Sequence, residues 1–227
     1  ELFTSLQTVM YKGGNATSED MLRWYDQGFN FCNEPYFGLR QGNGGPCGIL
    51  AAVQAELLSE LLFGNDGQRN AVLPEADQVD VQSLLSKAMC NIVHRASHGG
   101  KIIIVYIPES LWQLSMEQWE PSLISTTYYS NKEEACRALN TSNMHTLFRS
   151  GMGCIAFLAS LICTRGVDYL KEDMDDAGST CTFHNYLPVY CSIIFFFTYK
   201  IIFYSNWSVW TLQSRFDQLA SHWSCHI

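Results

Sequence analysis

The 227 residues, 47% hydrophobic and 16% charged, suffice for one sizeable domain with a real core and exclude a disordered chain. A net charge of −8 excludes sequence-independent nucleic-acid binding, because neutralising phosphates takes a basic surface. The nine cysteines are odd in number, irregular in spacing and contain no C-x-x-C pair, so neither a zinc site nor a disulfide framework is read. That usage fits a reducing compartment, the cytoplasm or alternatively the nucleus.

The chain opens on Glu1-Leu2-Phe3, with no basic segment and no long apolar run, so no signal peptide is expected. Lacking an initiator Met, it reads as a fragment or a processed product. A first helical piece ends at the turn Gly13-Gly14-Asn15. A second spans Ser18 to Tyr25, with Ser18-Glu19-Asp20 as its cap. Phe29 to Phe37 mixes aromatic and polar residues, and Gly38 to Pro46 reads as a glycine-rich loop. From Gly48 to Phe63 the residues Leu50, Val53, Leu57, Leu58, Leu61 and Leu62 recur on one helical face.

Asp77 to Ala96 predicts a further amphipathic helix, broken at Gly99-Gly100. Lys101 to Pro108 is β-branched and predicts the clearest strand. Glu133 to Leu139 reads as helix. Cys154 to Leu170 predicts an apolar helix, with Cys154 and Cys163 as buried thiols. The fold class is therefore α+β with few strands. After Asp176 the composition changes: residues 177–227 carry only Lys200, Arg215 and Asp217 as charges and are rich in Phe, Tyr and Trp. Residues 1–176 are accordingly set apart from a tail, 177–227.

The stretch that carries chemistry is Gln41-Gly42-Asn43-Gly44-Gly45-Pro46-Cys47-Gly48. A cysteine at a helix start meets unpaired backbone N–H groups and the positive end of the dipole, which favour the nucleophilic thiolate. The glycines allow a sharp turn and leave the sulfur open, and Pro46 pre-sets φ for the first turn. Gln41, six residues ahead, is placed to turn its amide toward a developing oxyanion; losing one such donor costs about 2.7–4 kcal/mol. Gly-Gly-Pro alone is only a turn, and a cysteine at a helix start can simply be packed. The combination carries the nucleophile reading.

The run Gly44-Gly45-Pro46-Cys47-Gly48-Ile49-Leu50-Ala51-Ala52-Val53-Gln54 resembles the catalytic motif of the MINDY family of deubiquitinases, in the branch reading GGPCG, then Val or Ile, then LAAVQ. Trp24, Gln27-Gly28-Phe29 and Phe31 upstream are similar to that branch. So are Gly153-Cys154-Ile155 through Leu161, Arg165 and Glu172-Asp173-Met174-Asp175 downstream. The resemblance covers roughly residues 20–176. It implies a papain-like cysteine protease, with its C-terminal sheet incomplete or altered, that hydrolyses isopeptide bonds in lysine-linked polyubiquitin. Cys47 would be the nucleophile and Gln41 the oxyanion-hole side chain. Polyubiquitin and ubiquitinated proteins would be the partners, and no metal or organic cofactor is implied.

A thiol protease also needs a histidine to move the proton. The family carries it on a late strand, in a block not recognisable after Asp176. His94 and His98 sit at the end of a predicted helix, where they cap it or stay solvated. His145 and His184 fall in predicted loops, and His226 is beside the terminus. His222, in Ser221-His222-Trp223-Ser224, echoes the family context and is the candidate base. Without a base the chain would be a catalytically inactive, ubiquitin-binding relative. The tail admits a hydrophobic anchor over 189–204, near bilayer-spanning length, or a segment foreign to the domain introduced by mis-splicing. The second is preferred.

Overall fold

A computed structural model describes residues 18–42, 46–63, 74–112 and 121–170. Helix α1 (Ser18–Tyr25) leads into two short antiparallel strands, β1 (Asn30–Phe31) and β2 (Leu39–Arg40), with Asn30 opposite Arg40 and Phe31 opposite Leu39. Helix α2 (Cys47–Phe63) is followed by a single 3-10 turn at Ala76–Gln78 and helix α3 (Val81–Ala96). Strand β3 (Ile102–Tyr106) pairs antiparallel with β4 (Ser125–Tyr129), Ile104 facing Thr127. Helices α4 (Lys132–Leu139), α5 (Ser142–Arg149) and α6 (Gly153–Arg165) complete the described elements. Helices beside two small antiparallel sheets make the α+β class expected from the sequence.

The core gathers around α6. Every residue from Gly153 to Cys163 is buried, so this helix has no solvent face and must be enclosed by its neighbours. Phe157 meets Phe29 and Phe148 edge-on, with ring centroids at 5.7 and 6.5 Å. Such pairs contribute roughly 0.5–1.5 kcal/mol beyond the area they bury. The chain around residues 25–28 crosses the α5–α6 corner at backbone contact distance. A Cβ on Gly151 would lie 2.1 Å from the Tyr25 carbonyl, and one on Gly28 would lie 2.4 Å from that of Ser150. Only glycine allows that approach.

One edge of β3 pairs with β4, and the other is satisfied by side chains of α6. Val105 N–H donates to Ser160 Oγ at 2.9 Å, while Ser160 itself donates to the Ala156 carbonyl at 2.8 Å. Ile103 N–H donates to Thr164 Oγ1 at 2.9 Å, and that hydroxyl returns a bond to the Ile103 carbonyl at 3.0 Å. The spacings match: four residues of helix rise about 6 Å, and two residues of strand about 6.7 Å.

Helices α2 and α3 pack antiparallel and are locked by charge. Arg95 pairs with buried Glu56 at 2.5 Å, Asn91 Nδ2 donates to Glu56 at 2.8 Å and to Glu60 at 2.7 Å, and Lys87 pairs with Glu60 at 2.7 Å. As the α2 position advances, its α3 partner recedes, which fixes both direction and register.

Several expectations are corrected. The α3 helix starts at Val81, not Asp77, because the Asp80 carboxylate accepts from Gln82 N–H at 3.1 Å and Ser83 N–H at 3.3 Å and so caps it there. The apolar helix starting near Cys154 stops at Arg165, where Gly166 adopts φ 87°, and helix resumes only at residues 167–170. Leu39–Arg40, read as glycine-rich loop, is strand. His145, read as loop, lies within α5. The helical start before Gly13, the tail 177–227 and the span 189–204 lie outside the described residues. Among the described residues no single helix is long and apolar enough to cross a membrane.

Ser160→Ala or Thr164→Val strands a β3 N–H without its acceptor. Each is expected to cost about 1–3 kcal/mol, read as a lower urea midpoint with an unchanged slope.

Candidate active site

Cys47 is the first residue of α2 and is partly exposed. Pro46 precedes it, and the Pro46 carbonyl accepts the Leu50 N–H at 3.1 Å, closing the first turn. The sulfur therefore stands at the end of the helix where N–H groups point outward, as its sequence position predicts. Gln41 is exposed and directly follows β2. Residues 43–45, between Gln41 and Pro46, lie outside the described residues.

Two other glutamines hold the backbone that leads into Gln41. Gln54, on α2, donates from Nε2 to the Phe37 carbonyl at 3.0 Å and accepts the Leu39 N–H at 2.7 Å. Gln27, only 4% exposed, donates to the Arg40 carbonyl at 3.1 Å and accepts the Gly42 N–H at 2.8 Å. The position of Gln27 is itself fixed from the core, since its carbonyl accepts the Cys154 N–H at 3.2 Å and the Phe29 N–H donates to the Phe148 carbonyl at 2.7 Å. Sequence reasoning placed Gln27 and Gln54 inside matching motifs but gave neither a task. A buried amide with two usable groups is visible only once its partners are known.

The described histidines are placed as follows. His94 is exposed in the last turn of α3, and His98, also exposed, lies just past it with φ 49°. His145 Nε2 lies 3.0 Å from Asn140 Oδ1 and 2.9 Å from Ser86 Oγ. The amide oxygen only accepts, so Nε2 carries the proton. Ser86 then gives its own hydrogen to the carbonyls of Gln82 at 3.0 Å and Leu139 at 3.1 Å. Burial pushes the His145 imidazole below its usual 6.5, Asp80 opposes this, and Arg149 adds to it. Ser86 is buried and its hydroxyl is fully used, so this serine–histidine pair is a pin between α3, α4 and α5, not a hydrolytic centre. His184, His222 and His226 lie outside the described residues.

A cysteine at the first position of α2 and a strap tied to that same helix through Gln54 form the candidate site. The description of the family model that matches residues 8–194 is deubiquitinating enzyme MINDY-3/4, conserved domain, and the chain belongs to this family. It is 29% identical over 163 residues to the probable ubiquitin carboxyl-terminal hydrolase MINDY-4 of Xenopus tropicalis, a match covering 67% of this chain and 21% of that protein. It is 27% identical over 195 residues to the ubiquitin carboxyl-terminal hydrolase MINDY-3 of Mus musculus, covering 74% of this chain and 43% of that protein. With MINDY-3 of Homo sapiens it shares 25% over 214 residues, covering 78% and 46%. The chain thus spans less than half the length of each of these relatives. No solved structure matches it.

Burial sets three of the described thiols, Cys90, Cys154 and Cys163, apart from the partly exposed Cys47. It pushes Cys90 up to about 12, with the neighbouring Cys136 adding to the effect, and Cys163 up to about 11. It raises Cys154 further still. All three stay protonated at neutral pH, so iodoacetamide is expected to modify Cys47 in the folded chain and to spare Cys90, Cys154 and Cys163, as read by peptide mass spectrometry. Their ordinary value of 9.0 lies below the folded ones. The stability gained by keeping them protonated is therefore complete below that pH, and it is lost as pH climbs from there through about 11 and 12.

Proposed function

We propose that this chain carries the nucleophile half of a cysteine-type deubiquitinase site, arranged as in papain-like proteases and acting on isopeptide bonds of lysine-linked polyubiquitin. The observation that carries the reading is Cys47 as first residue of α2, with the strap bearing Gln41 tied to that same helix through Gln54. Family membership and the hydrolase names of its relatives support the substrate class.

In this mechanism the Cys47 thiolate attacks the carbonyl that joins the last glycine of ubiquitin to a lysine ε-amine. The electron pair displaced onto oxygen is held by the Gln41 side-chain amide and the Cys47 backbone N–H. The tetrahedral adduct collapses, the C–N bond breaks, and the leaving amine takes the proton that the thiol had given to the general base. Water then attacks the thioester, releasing a ubiquitin carboxylate and restoring the thiol. His222 is the proposed base. The glycine-rich sequence 42–48 suits a tail ending in two glycines. A reducing compartment, cytoplasm or nucleus, is proposed on the same reading, from the odd number and irregular spacing of the nine cysteines.

A second reading, ubiquitin binding without turnover, is favoured by the placement of His145, whose Nε2 is committed to Ser86 and Asn140. One experiment separates the two. Ubiquitin bearing a C-terminal electrophile is expected to label the chain once, with no labelling of Cys47→Ala, and His222→Ala is expected to slow labelling by about 10²-fold. A folded wild-type chain that binds ubiquitin but takes no label is a binder, and the hydrolase reading falls.

A further inference from the structure

We infer that Gln54 and Gln27 are positioning residues for the oxyanion hole, two side-chain amides that grip the strap from opposite edges and thereby aim Gln41 at Cys47. The inference rests on the deubiquitinase reading above and assigns it two residues that act through Gln41.

The two grips have the same form. Gln54 takes the carbonyl of residue 37 and the N–H of residue 39; Gln27 takes the carbonyl of residue 40 and the N–H of residue 42. A glutamine amide can donate to a carbonyl and accept an N–H at once, so each side chain stands in for one unit of a neighbouring strand; the second N–H of Gln27 goes to the Gly28 carbonyl at 2.7 Å. Extended backbone turns alternate residues to opposite edges. Residues 37 and 39 therefore present one edge, to α2. Residues 40 and 42 present the other, where Gln27 continues the line of β1; on that same edge Cys32 N–H, just past β1, donates to the Gly38 carbonyl at 2.7 Å. Gln41 lies between the two groups held by Gln27 and is fixed from both sides.

Spacing along α2 turns this grip into aim. Gln54 follows Cys47 by seven residues, which returns it to the same helical face about 10.5 Å farther along the axis. The strap is level with Gln54 at Leu39 and has to reach Pro46, so it runs back along that face toward Cys47. Extended chain covers about 3.3 Å per residue, which brings the strap level with the sulfur near Gln41 and Gly42. Freeing either grip would let Gln41 drift on this short leg, and about 1 Å of misplacement suffices for a loss near 10²-fold.

The test compares a probe that needs the oxyanion hole with one that does not. Ubiquitin with a C-terminal aldehyde forms a thiohemiacetal whose oxygen occupies the hole; iodoacetamide alkylates sulfur without creating an oxyanion. Gln54→Met and Gln27→Met are expected to weaken aldehyde capture by about tenfold or more and to leave iodoacetamide alkylation of Cys47 within about twofold of wild type. In a Gln41→Ala background they should add no further loss, because they act through Gln41. If Gln54→Met does not fold, Gln54→Glu carries the same test, keeping the oxygen that Leu39 uses and losing the donor to Phe37. Wild-type-like capture by the folded variants, or losses that add fully to that of Gln41→Ala, overturns the inference and leaves the deubiquitinase reading standing. A folded wild type that captures no ubiquitin aldehyde overturns that reading instead, and the positioning role with it. Amides of Leu39 and Gly42 that exchange with solvent at unprotected rates also overturn the inference, without any variant.

Discussion

Helix α6 is apolar on every side, and the arrangement of the other described elements answers that constraint. A helix with no face to offer water has to be covered all round, and its neighbours are held where they cover it. Its buried polar side chain, Ser160, and the partly buried Thr164 both spend their hydroxyls on β3, giving that strand the neighbour it otherwise lacks on one edge. The first turn of α6 receives the chain leaving α1, through the Cys154 N–H and the glycine-only crossing at Gly28 and Gly151. From that crossing Gln27 reaches out to the strap. The core thus reaches the strap through these backbone contacts, and it reaches Cys47 through the buried face of α2, with Ile49, Leu50, Val53 and Leu57.

Helix α2 is held by two kinds of interaction with different consequences. On the α3 side the buried Glu56 carboxylate meets Arg95 and Asn91, a network whose net worth is modest because two charges leave water, but which admits one register only. On the strap side the hold is a neutral amide, which loses little on burial when both its groups are paired, as they are at Gln54. The charged lock sets where α2 sits. The amide grip sets where the strap lies against it. In the proposed mechanism the second of these bears on the chemistry, because an oxyanion donor is useful only within a few tenths of an ångström of its place.

Much of the fold was legible where local chemistry and packing agree. The α2 helix, strand β3 and the α4 helix were read within about a residue, because apolar period, β-branching and charge pattern all favoured one structure. What escaped was structure made by partners. Strands β1 and β2 are two residues each and exist through pairing and through Gln27 and Gln54, so Leu39–Arg40 read as loop. Helix α5 is short and mostly polar, although Met144, Leu147 and Phe148 at helical spacing were there to be seen. The boundaries missed at Asp80 and Gly166 turn on a side-chain cap and a positive φ, each decided by one residue. At the proposed site, Cys47 and Gln41 could be singled out in the sequence because the proposed reaction would demand their residue types. Gln27 and Gln54 were not, because their task is geometric.

The Ser86–His145 pair shows why residue type alone does not make a catalytic centre. Its atoms lie at hydrogen-bond distance, 2.9 Å, yet Ser86 is buried and its hydrogen is shared between two carbonyls. Cys47 has the converse properties: partial exposure and a place at a helix N-terminus. A nucleophile is useful where the substrate can arrive and where the charge it creates is already provided for. In the proposed site those conditions rest on Gln27, Gln41, Cys47 and Gln54 and on the α5–α6 corner that holds Gln27, and the hydrogen bonds that hold the strap there involve no histidine. In the proposed enzyme, oxyanion binding and proton transfer are therefore built by separate parts of the chain, and the first can be intact whatever becomes of the second.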